Sequence, residues 1–391
     1  MPDSPFFSIV IPTRNRAELL RYAIASALNQ TFDDYEIVVS NNHSSDDTGA
    51  VVASMSHPRL RAIRPGAPLS MPEHWEYVLP FARGRYITYL CDDDALAPNA
   101  LALAAQSIAR TNSDFVVSPY VPYVGPTWFD ASRRNTLMLP RFTGGSTVME
   151  SAETLRAMFS CRDNVWAPRM LNSFGRAEVI MAARERAGGL FWMCPDFAFA
   201  SCILTATKTW TQLDAPLRLF GVVPQSVGAS MGYDGGRAQF SNFQKEMGGE
   251  SLFRRAPLKT SMTPNMICET LMITKERLAT ETAGIEVDRA SYFAENVRYI
   301  AMLEANGADM SAEKRALEET LAREPEEVRG GVAKLMGNVQ RRRLRSRLLP
   351  LESPLRPLAF RLGIVGSMLV RGEQAGFDDI AGAAAWIASH G

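Results

Sequence analysis

Three carboxylates in a row, Asp92, Asp93 and Asp94, stand one residue past the apolar run Tyr86–Leu90. Neighbouring like charges repel one another unless a cation sits among them. Hard oxygen ligands suit Mg2+ or Mn2+, ions that keep several waters and accept substrate phosphate oxygens as further ligands. A solvated acidic turn ahead of the helix expected at Pro98 has the same spacing, so the triplet alone leaves both readings open. A further carboxylate, Asp196, is set among Trp192, Met193, Phe197 and Phe199. Partial desolvation raises a carboxyl pKa towards a working value for a general base. Asp also commonly caps a helix start, and the two roles are compatible. His43, His57, His74 and His390 show no ligand spacing. Trp166, Asn172 and Arg176 are better placed as core or rim than as an acceptor pocket, and Gly235-Gly236 reads as a turn rather than a phosphate cradle.

These residues need elements to hold them. Phe6–Ile11 is a short apolar run of strand formers, followed by Arg16–Leu28 with apolar residues at helical spacing. Glu36–Ser40 reads as a buried strand, Thr48–Ser54 as a short helix and Leu60–Arg64 as a third strand. Pro72 suits the first turn of a helix to about Leu79. Tyr86–Leu90 is a fourth strand, Pro98 opens an Ala/Leu helix to Arg110, and Phe115–Ser118 is a fifth strand. Strand and helix in alternation imply an α/β fold with a mostly parallel sheet covered on both faces. In such sheets ligands bind beyond the carboxyl ends of the strands. That rule selects Pro12–Arg16, Asn41–Asp47 and Asp92–Asp94 and predicts that all three line one crevice.

Residues 119–170 read as irregular, Ser173–Ile180 as strand-like and Phe197–Thr205 as helical. The Gly-rich stretch MGYDGGRAQF near residue 230 marks an expected boundary between a catalytic domain, 1–230, and a mainly helical domain, 231–391, which includes helical patterns at Pro264–Thr280 and Arg289–Asn306. A chain of 391 residues is long enough for two domains. Its 42 basic and 42 acidic residues balance, so no net field draws nucleic acid to the whole molecule, and no nucleic-acid partner is expected. The 5 cysteines are scattered without a Cys-x-x-Cys pair, giving neither a disulfide framework nor a zinc site and fitting a reducing cytoplasm. The N-terminus has no signal-peptide layout, and the longest late apolar stretch, Leu362–Val370, is far short of the ~20 residues that span a bilayer. The Arg-rich stretch from Arg341 has the composition of peripheral membrane contact at an anionic inner face, but Pro350, Pro354 and Pro357 break a continuous amphipathic helix, and a solvated face is the favoured reading. The pattern carries no signal for an oligomeric state.

The segments VIPTRNR, EIVVSNNHSSDDT and GRYITYLCDDDALAP, in that order and spacing, resemble the family 2 glycosyltransferases. The resemblance covers roughly residues 5–220, strongly to about 110. It implies a Rossmann-like GT-A fold, a nucleotide-diphospho-sugar donor and a divalent cofactor, Mg2+ or Mn2+. By position it places Pro12, Thr13, Arg14 and Asn15 along the base, and Asn41 and Asn42 at base and ribose. Asp92 and Asp93 would face ribose and metal, with Asp94 as second ligand or support. Asp196 would be the base that takes the proton of the acceptor hydroxyl. The chain departs from the family pattern at Arg14, where an aromatic residue is frequent, and at Asn41 and Cys91, where Asp is usual. MPEHWEY replaces the Arg-Asn before the fourth strand, and Pro195 replaces the Glu ahead of the catalytic Asp. No Gln-x-x-Arg-Trp motif is present, so the expectation is one sugar per encounter, by inversion, onto a glycan or lipid-linked acceptor. A non-catalytic nucleotide-sugar-binding scaffold is the rival reading. A nucleotidyltransferase is another, although Pro12–Arg16 lacks the glycines its first loop would need.

Overall fold

The computed structural model describes residues 4–162, 165–226, 237–247, 252–346, 360 and 365–390. Gly235-Gly236, most of the Gly-rich stretch near 230, and Pro350, Pro354 and Pro357 of the Arg-rich segment lie outside them. The chain opens as the alternation requires. β1 (Phe7–Thr13), α1 (Ala17–Leu28), β2 (Tyr35–Asn41), α2 (Thr48–Ser54), β3 (Leu60–Ile63), α3 (Met71–Val78), β4 (Tyr86–Tyr89), β5 (Ala95–Leu96), α4 (Ala100–Thr111) and β6 (Phe115–Val117) follow in order. Every residue of β1 is buried, as expected of a central strand covered on both faces. β1 pairs in parallel with β2 and with β4, Thr13 standing opposite Asn41 and Val10 opposite Tyr89. The loops leaving all three strands therefore emerge at one edge.

Residues 119–170, expected to be irregular, hold three strands and a helix: β7 (Tyr120–Val124), β8 (Thr136–Pro140), β9 (Ser146–Glu150) and α5 (Ser151–Met158). Only the first part of the strand-like stretch 173–180 is a strand, β10 (Ser173–Arg176). It gives way to α6 (Ala177–Ala187), whose Ile180, Ala183 and Ala187 form one buried stripe. α7 (Pro195–Ala206), β11 (Thr209–Leu213) and β12 (Arg218–Val222) complete the first part. The large sheet runs β3-β2-β1-β4-β10-β6-β11-β9, with β10 antiparallel to both neighbours. A second sheet contains β8, β7, β12 and β5. This is a mixed, mostly parallel Rossmann-like sheet with helices on its faces, the GT-A architecture.

Past residue 230 the described chain is helical in α8 (Arg237–Glu246), α9 (Thr263–Arg277), α10 (Arg289–Ala305), α11 (Ser311–Ala322) and α12 (Glu326–Ser346). It then crosses back. β13 (Ser367–Arg371) pairs antiparallel with β8, and after α13 (Gly372–Ala375) the last helix, α14 (Ile380–His390), packs against α1, β5 and β12. Two apolar cores result. One lies between the large sheet and the helical region, from Val10 and Tyr89 through Phe199 to Ile267 and Leu303. The other lies on the opposite face, where Ile9, Leu20, Leu96 and Leu219 pack with Ile380, Ala384 and Ile387 of α14.

Candidate nucleotide and acceptor site

The first loop begins at the end of β1. Thr13 donates its hydroxyl to Asp92 Oδ2 at 2.7 Å, and its carbonyl accepts the Asn42 N–H at 2.9 Å. Asn15 adopts a left-handed φ of 55°, a conformation Asn tolerates better than most residues. That turn lets its Oδ1 accept from the Ser45 N–H at 2.7 Å while its own N–H donates to Ser44 Oγ at 2.9 Å. Asn42 is buried, with its amide bridging both backbone groups of Leu69, Nδ2 to the carbonyl at 2.8 Å and Oδ1 from the N–H at 2.9 Å. Asn41 Oδ1 accepts the Ser44 N–H at 3.0 Å. Asn41 and Asn42 thus hold the second loop in shape. Pro12 is buried within β1, whereas Arg14 is exposed and pairs with Glu246 of α8 at 3.3 Å.

The aspartate turn is nearly closed to solvent: Asp92 is 5 %, Asp93 8 % and Asp94 0 % exposed. Arg16, which sequence reading takes as the start of a helix, proves to be its partner. The helix begins one residue later, and Arg16 sits at the N-cap with φ −143°, outside helical geometry. Its Nη1 lies 2.9 Å from Asp92 Oδ1 and 3.4 Å from Asp93 Oδ2, and its Nη2 donates to the Gln225 carbonyl at 2.6 Å. Burial works against the Arg16 charge, but Asp92 and Asp93 outweigh it and hold the guanidinium above its ordinary pKa. Burial raises the Asp92 carboxyl, with Arg16 opposing. Asp94 is pushed up further, by burial and then by Asp93, against the pull of the Gly221 N–H and Arg218.

β12 closes over this turn. The Gly221 N–H donates to Asp94 Oδ1 at 2.9 Å, and Ser226 Oγ donates to Asp93 Oδ2 at 2.5 Å and to the Gly221 carbonyl at 3.1 Å. A Cβ at Gly221 would lie 1.8 Å from the Asp93 carbonyl oxygen, so only glycine permits the approach. Behind it, the fully buried Arg218 gives Nη1 to the carbonyls of Tyr89 and Leu171 and Nη2 to Thr88 Oγ1 at 2.7 Å.

Asp196 lies in the first turn of α7, one residue after Pro195 at its start. Its carboxylate is 22 % exposed, partly desolvated as its apolar sequence neighbours imply, and it has a partner that they do not reveal. Arg169 Nη1 is 3.7 Å away, and the Arg169 guanidinium covers the Phe197 ring at 4.0 Å. Tyr120 lies within electrostatic range of this pair and of the aspartate turn. Burial raises its phenol, Arg169 and Arg218 pull it down, and Asp196 and Asp94 push it up, so Asp196 and Asp94 both act on Tyr120. Arg16 is selected in sequence as the end of the Pro12–Arg16 loop but without its carboxylate partners, while Arg169, Tyr120, Gly221 and Ser226 were missed, since their signals are single residues in segments with no period. Asn172 is buried with Nδ2 on the Ala167 carbonyl at 3.2 Å, Arg176 pairs with Asp114 at 2.5 Å, and Trp166 is 40 % exposed.

The donor chemistry of the turn fits a hard divalent cation. Asp92 and Asp93 stand side by side, and the buried Asp94 Oδ2 has no hydrogen-bond partner among the described residues. No group of three His, Cys, Asp or Glu is arranged to hold a metal among the described residues. Mg2+ ordinarily takes one or two carboxylates and completes its shell with substrate phosphates and water, so a pair suffices.

A Rossmann-like sheet, two polar loops hydrogen-bonded to each other and a carboxylate turn thus meet at the ends of the same strands. Residues 8–172 match the family model described as Glycosyl transferase family 2. It is 37 % identical over 105 residues to a GalNAc(5)-diNAcBac-PP-undecaprenol beta-1,3-glucosyltransferase of Campylobacter jejuni, covering 26 % of this chain and 34 % of that one. It is 27 % identical over 118 residues to a UDP-Glc:alpha-D-GlcNAc-diphosphoundecaprenol beta-1,3-glucosyltransferase of Escherichia coli, covering 30 % and 47 %. The match thus spans between a third and a half of these relatives' lengths. Among solved structures, the Staphylococcus aureus TarS fragment 1–349 with UDP-GlcNAc superimposes with a TM-score of 0.46 at 14 % identity, covering 85 % of this chain and 92 % of that one. Among the described residues, no helix is long and apolar enough to cross a membrane.

Proposed function

We propose that the chain moves one sugar from a nucleotide-diphosphate donor to a hydroxyl of a glycan or lipid-linked acceptor, with inversion and with a divalent metal. The observation that carries this reading is the hydrogen-bonded meeting of the Thr13, Asn42 and Asp92 loops at the ends of β1, β2 and β4. The loops carrying Pro12–Asn15 and Asn41–Asn42, the latter shaped by the Asn42 amide, frame the place for base and ribose, turning binding energy into orientation of the diphosphate. Asp93, with Asp92 or Asp94, would hold Mg2+ or Mn2+, which supplies positive charge to the leaving diphosphate when bound. Asp196 accepts the proton of the attacking hydroxyl, and Arg169 fixes the direction of its carboxylate. A lipid-linked acceptor is supported by the diphosphoundecaprenol in the names of both bacterial relatives. That acceptor would place the chain at the inner face of the membrane.

The test is release of nucleoside diphosphate from a panel of nucleotide-sugars with Mn2+, with and without a lipid-linked acceptor. Asp196→Asn is expected to lower acceptor-dependent release by about 10^2- to 10^4-fold, the usual worth of a positioned base, while leaving donor affinity in place. Asp93→Ala is expected to lose the metal-dependent part. Donor binding without turnover in any combination would instead indicate the scaffold.

A further inference from the structure

We infer that Arg16 is an exchangeable counter-cation: it occupies Asp92 and Asp93 when no nucleotide is bound, and it yields them to the metal only when a diphosphate is there to receive its guanidinium. The inference rests on the metal-diphosphate reading above and adds an order to it. The geometry is specific. One guanidinium touches both carboxylates, at 2.9 and 3.4 Å, and ties down the Gln225 carbonyl at 2.6 Å. Two adjacent, nearly buried carboxylates repel each other, and a divalent ion brought in beside a guanidinium already seated there meets a like charge in a poorly solvated site. Metal and Arg16 therefore compete for the same oxygens.

The contrast with Arg218 shows which arginine can move. Arg218 is wholly enclosed and spends its guanidinium on the chain's own carbonyl and hydroxyl oxygens. Arg16 is 21 % exposed at the side chain, and its backbone lies just outside the first turn of α1. It follows directly on the loop Pro12–Asn15, which the proposed function sets along the donor. A phosphate offers Arg the same planar, two-point match as a carboxylate. A short rotation exchanges one for the other, leaving Asp92 and Asp93 free as the diphosphate arrives. Ser226 on Asp93 and Gln225 on Arg16 join the end of β12 to the same exchange.

The test is Mn2+ binding, read by loss of the free-ion paramagnetic resonance signal, for wild type and Arg16→Gln, without nucleotide and with saturating UDP or GDP. Arg16→Gln is expected to bind Mn2+ alone about 10-fold more tightly than wild type, and the two to come within about threefold with nucleotide. Melting should agree, with Mn2+ alone raising the Arg16→Gln midpoint more than the wild-type midpoint. If Arg16→Gln does not fold, Arg16→Met serves, since it keeps an unbranched chain of similar length and carries no charge to compete with the metal. It too should bind Mn2+ alone more tightly than wild type. Equal affinities without nucleotide overturn the exchange while leaving the metal site standing. An equal gap with and without nucleotide also overturns it, since a fixed charge repels Mn2+ alike in both states. Nucleotide binding by calorimetry with no Mn2+ binding in either protein overturns the metal reading along with it.

Discussion

At the scale of single residues, the site depends on one missing side chain and one neutral imidazole. Gly221 brings the β12 backbone onto Asp93, and Gly84 makes a similar approach to β1, where a Cβ would lie 2.4 Å from the Ser8 nitrogen. Both clash with backbone, which cannot swing aside, so each Gly→Ala change should cost at least the ~1–3 kcal/mol typical of overpacking. Only Gly221 leans on the aspartate turn. Gly221→Ala is therefore expected to lower both the melting midpoint and nucleotide affinity, and Gly84→Ala the midpoint alone; equal loss of affinity in both would contradict this placement. His74 is buried, with Nε2 2.7 Å from Ser40 Oγ, and burial, aided by Arg14, depresses it from 6.5 to about 4. It stays neutral in the native state, while an unfolded histidine takes up a proton below about pH 6.5. Stability from this group is therefore present above that pH and is lost as pH falls towards 4, by about 2 kcal/mol between pH 7 and pH 5. Melting curves at those two pH values should show a smaller acid-side drop for His74→Asn than for wild type, and equal drops would refute it.

At the scale of elements, α7 carries Asp196 and α9 sets where α7 lies. Trp192 Nε1 donates to the Thr270 carbonyl at 3.1 Å, the Cys194 N–H donates to Thr270 Oγ1 at 3.1 Å, and Ser201 Oγ meets Thr274 Oγ1 at 2.8 Å. Thr270→Val keeps the shape but removes the hydroxyl that accepts the Cys194 N–H just before the helix. It should cost about 1–3 kcal/mol and lower kcat more than donor affinity, because it disturbs the base and not the nucleotide loops. Unchanged kcat with lowered stability would show that α7 is held well enough by packing. The elements legible in sequence were those with a clean period: β1, β2 and β4 as unbroken apolar runs, α1 and α4 by helical spacing. Their strand-end rule was enough to bring Thr13 and Asp92 together. β7 to β9 were hidden because each is 5 residues long and Pro122 interrupts the first. Each pairs with a distant strand, β7 with β12, β8 with β13 and β9 with β11, which no local window contains. Arg16 was misjudged by one residue of helix boundary, and that residue decides whether its side chain serves a helix or the carboxylates.

At the scale of the whole molecule, the chain does not stay in the helical region past residue 230, since the last described stretch returns to the sheet-bearing part. The signal for this return was weak: Ile380–His390 is Ala-rich and reads as a generic helix, with nothing to say which face it covers. In the structure it lies against α1, β5 and β12, and β5 begins directly after Asp94. Ile387, Ala383 and Ala384 are at most 1 % exposed, within the core that also holds Leu96 and Leu219. The floor of the aspartate turn is thus supplied by the other end of the chain. Ile387→Asp places a carboxylate in that core without a partner, at a cost of several kcal/mol set against the 5–15 kcal/mol that typically holds a fold together. Ala385 is exposed on the same helix, so Ala385→Asp adds the same charge at little cost. Ile387→Asp should melt well below both wild type and Ala385→Asp, and nucleotide affinity measured below its melting transition should fall with it. Were the last helix an independent appendage, Ile387→Asp would bind nucleotide as well as wild type, because the loops proposed to grip it lie far earlier in the chain, at residues 12–16, 41–47 and 92–94.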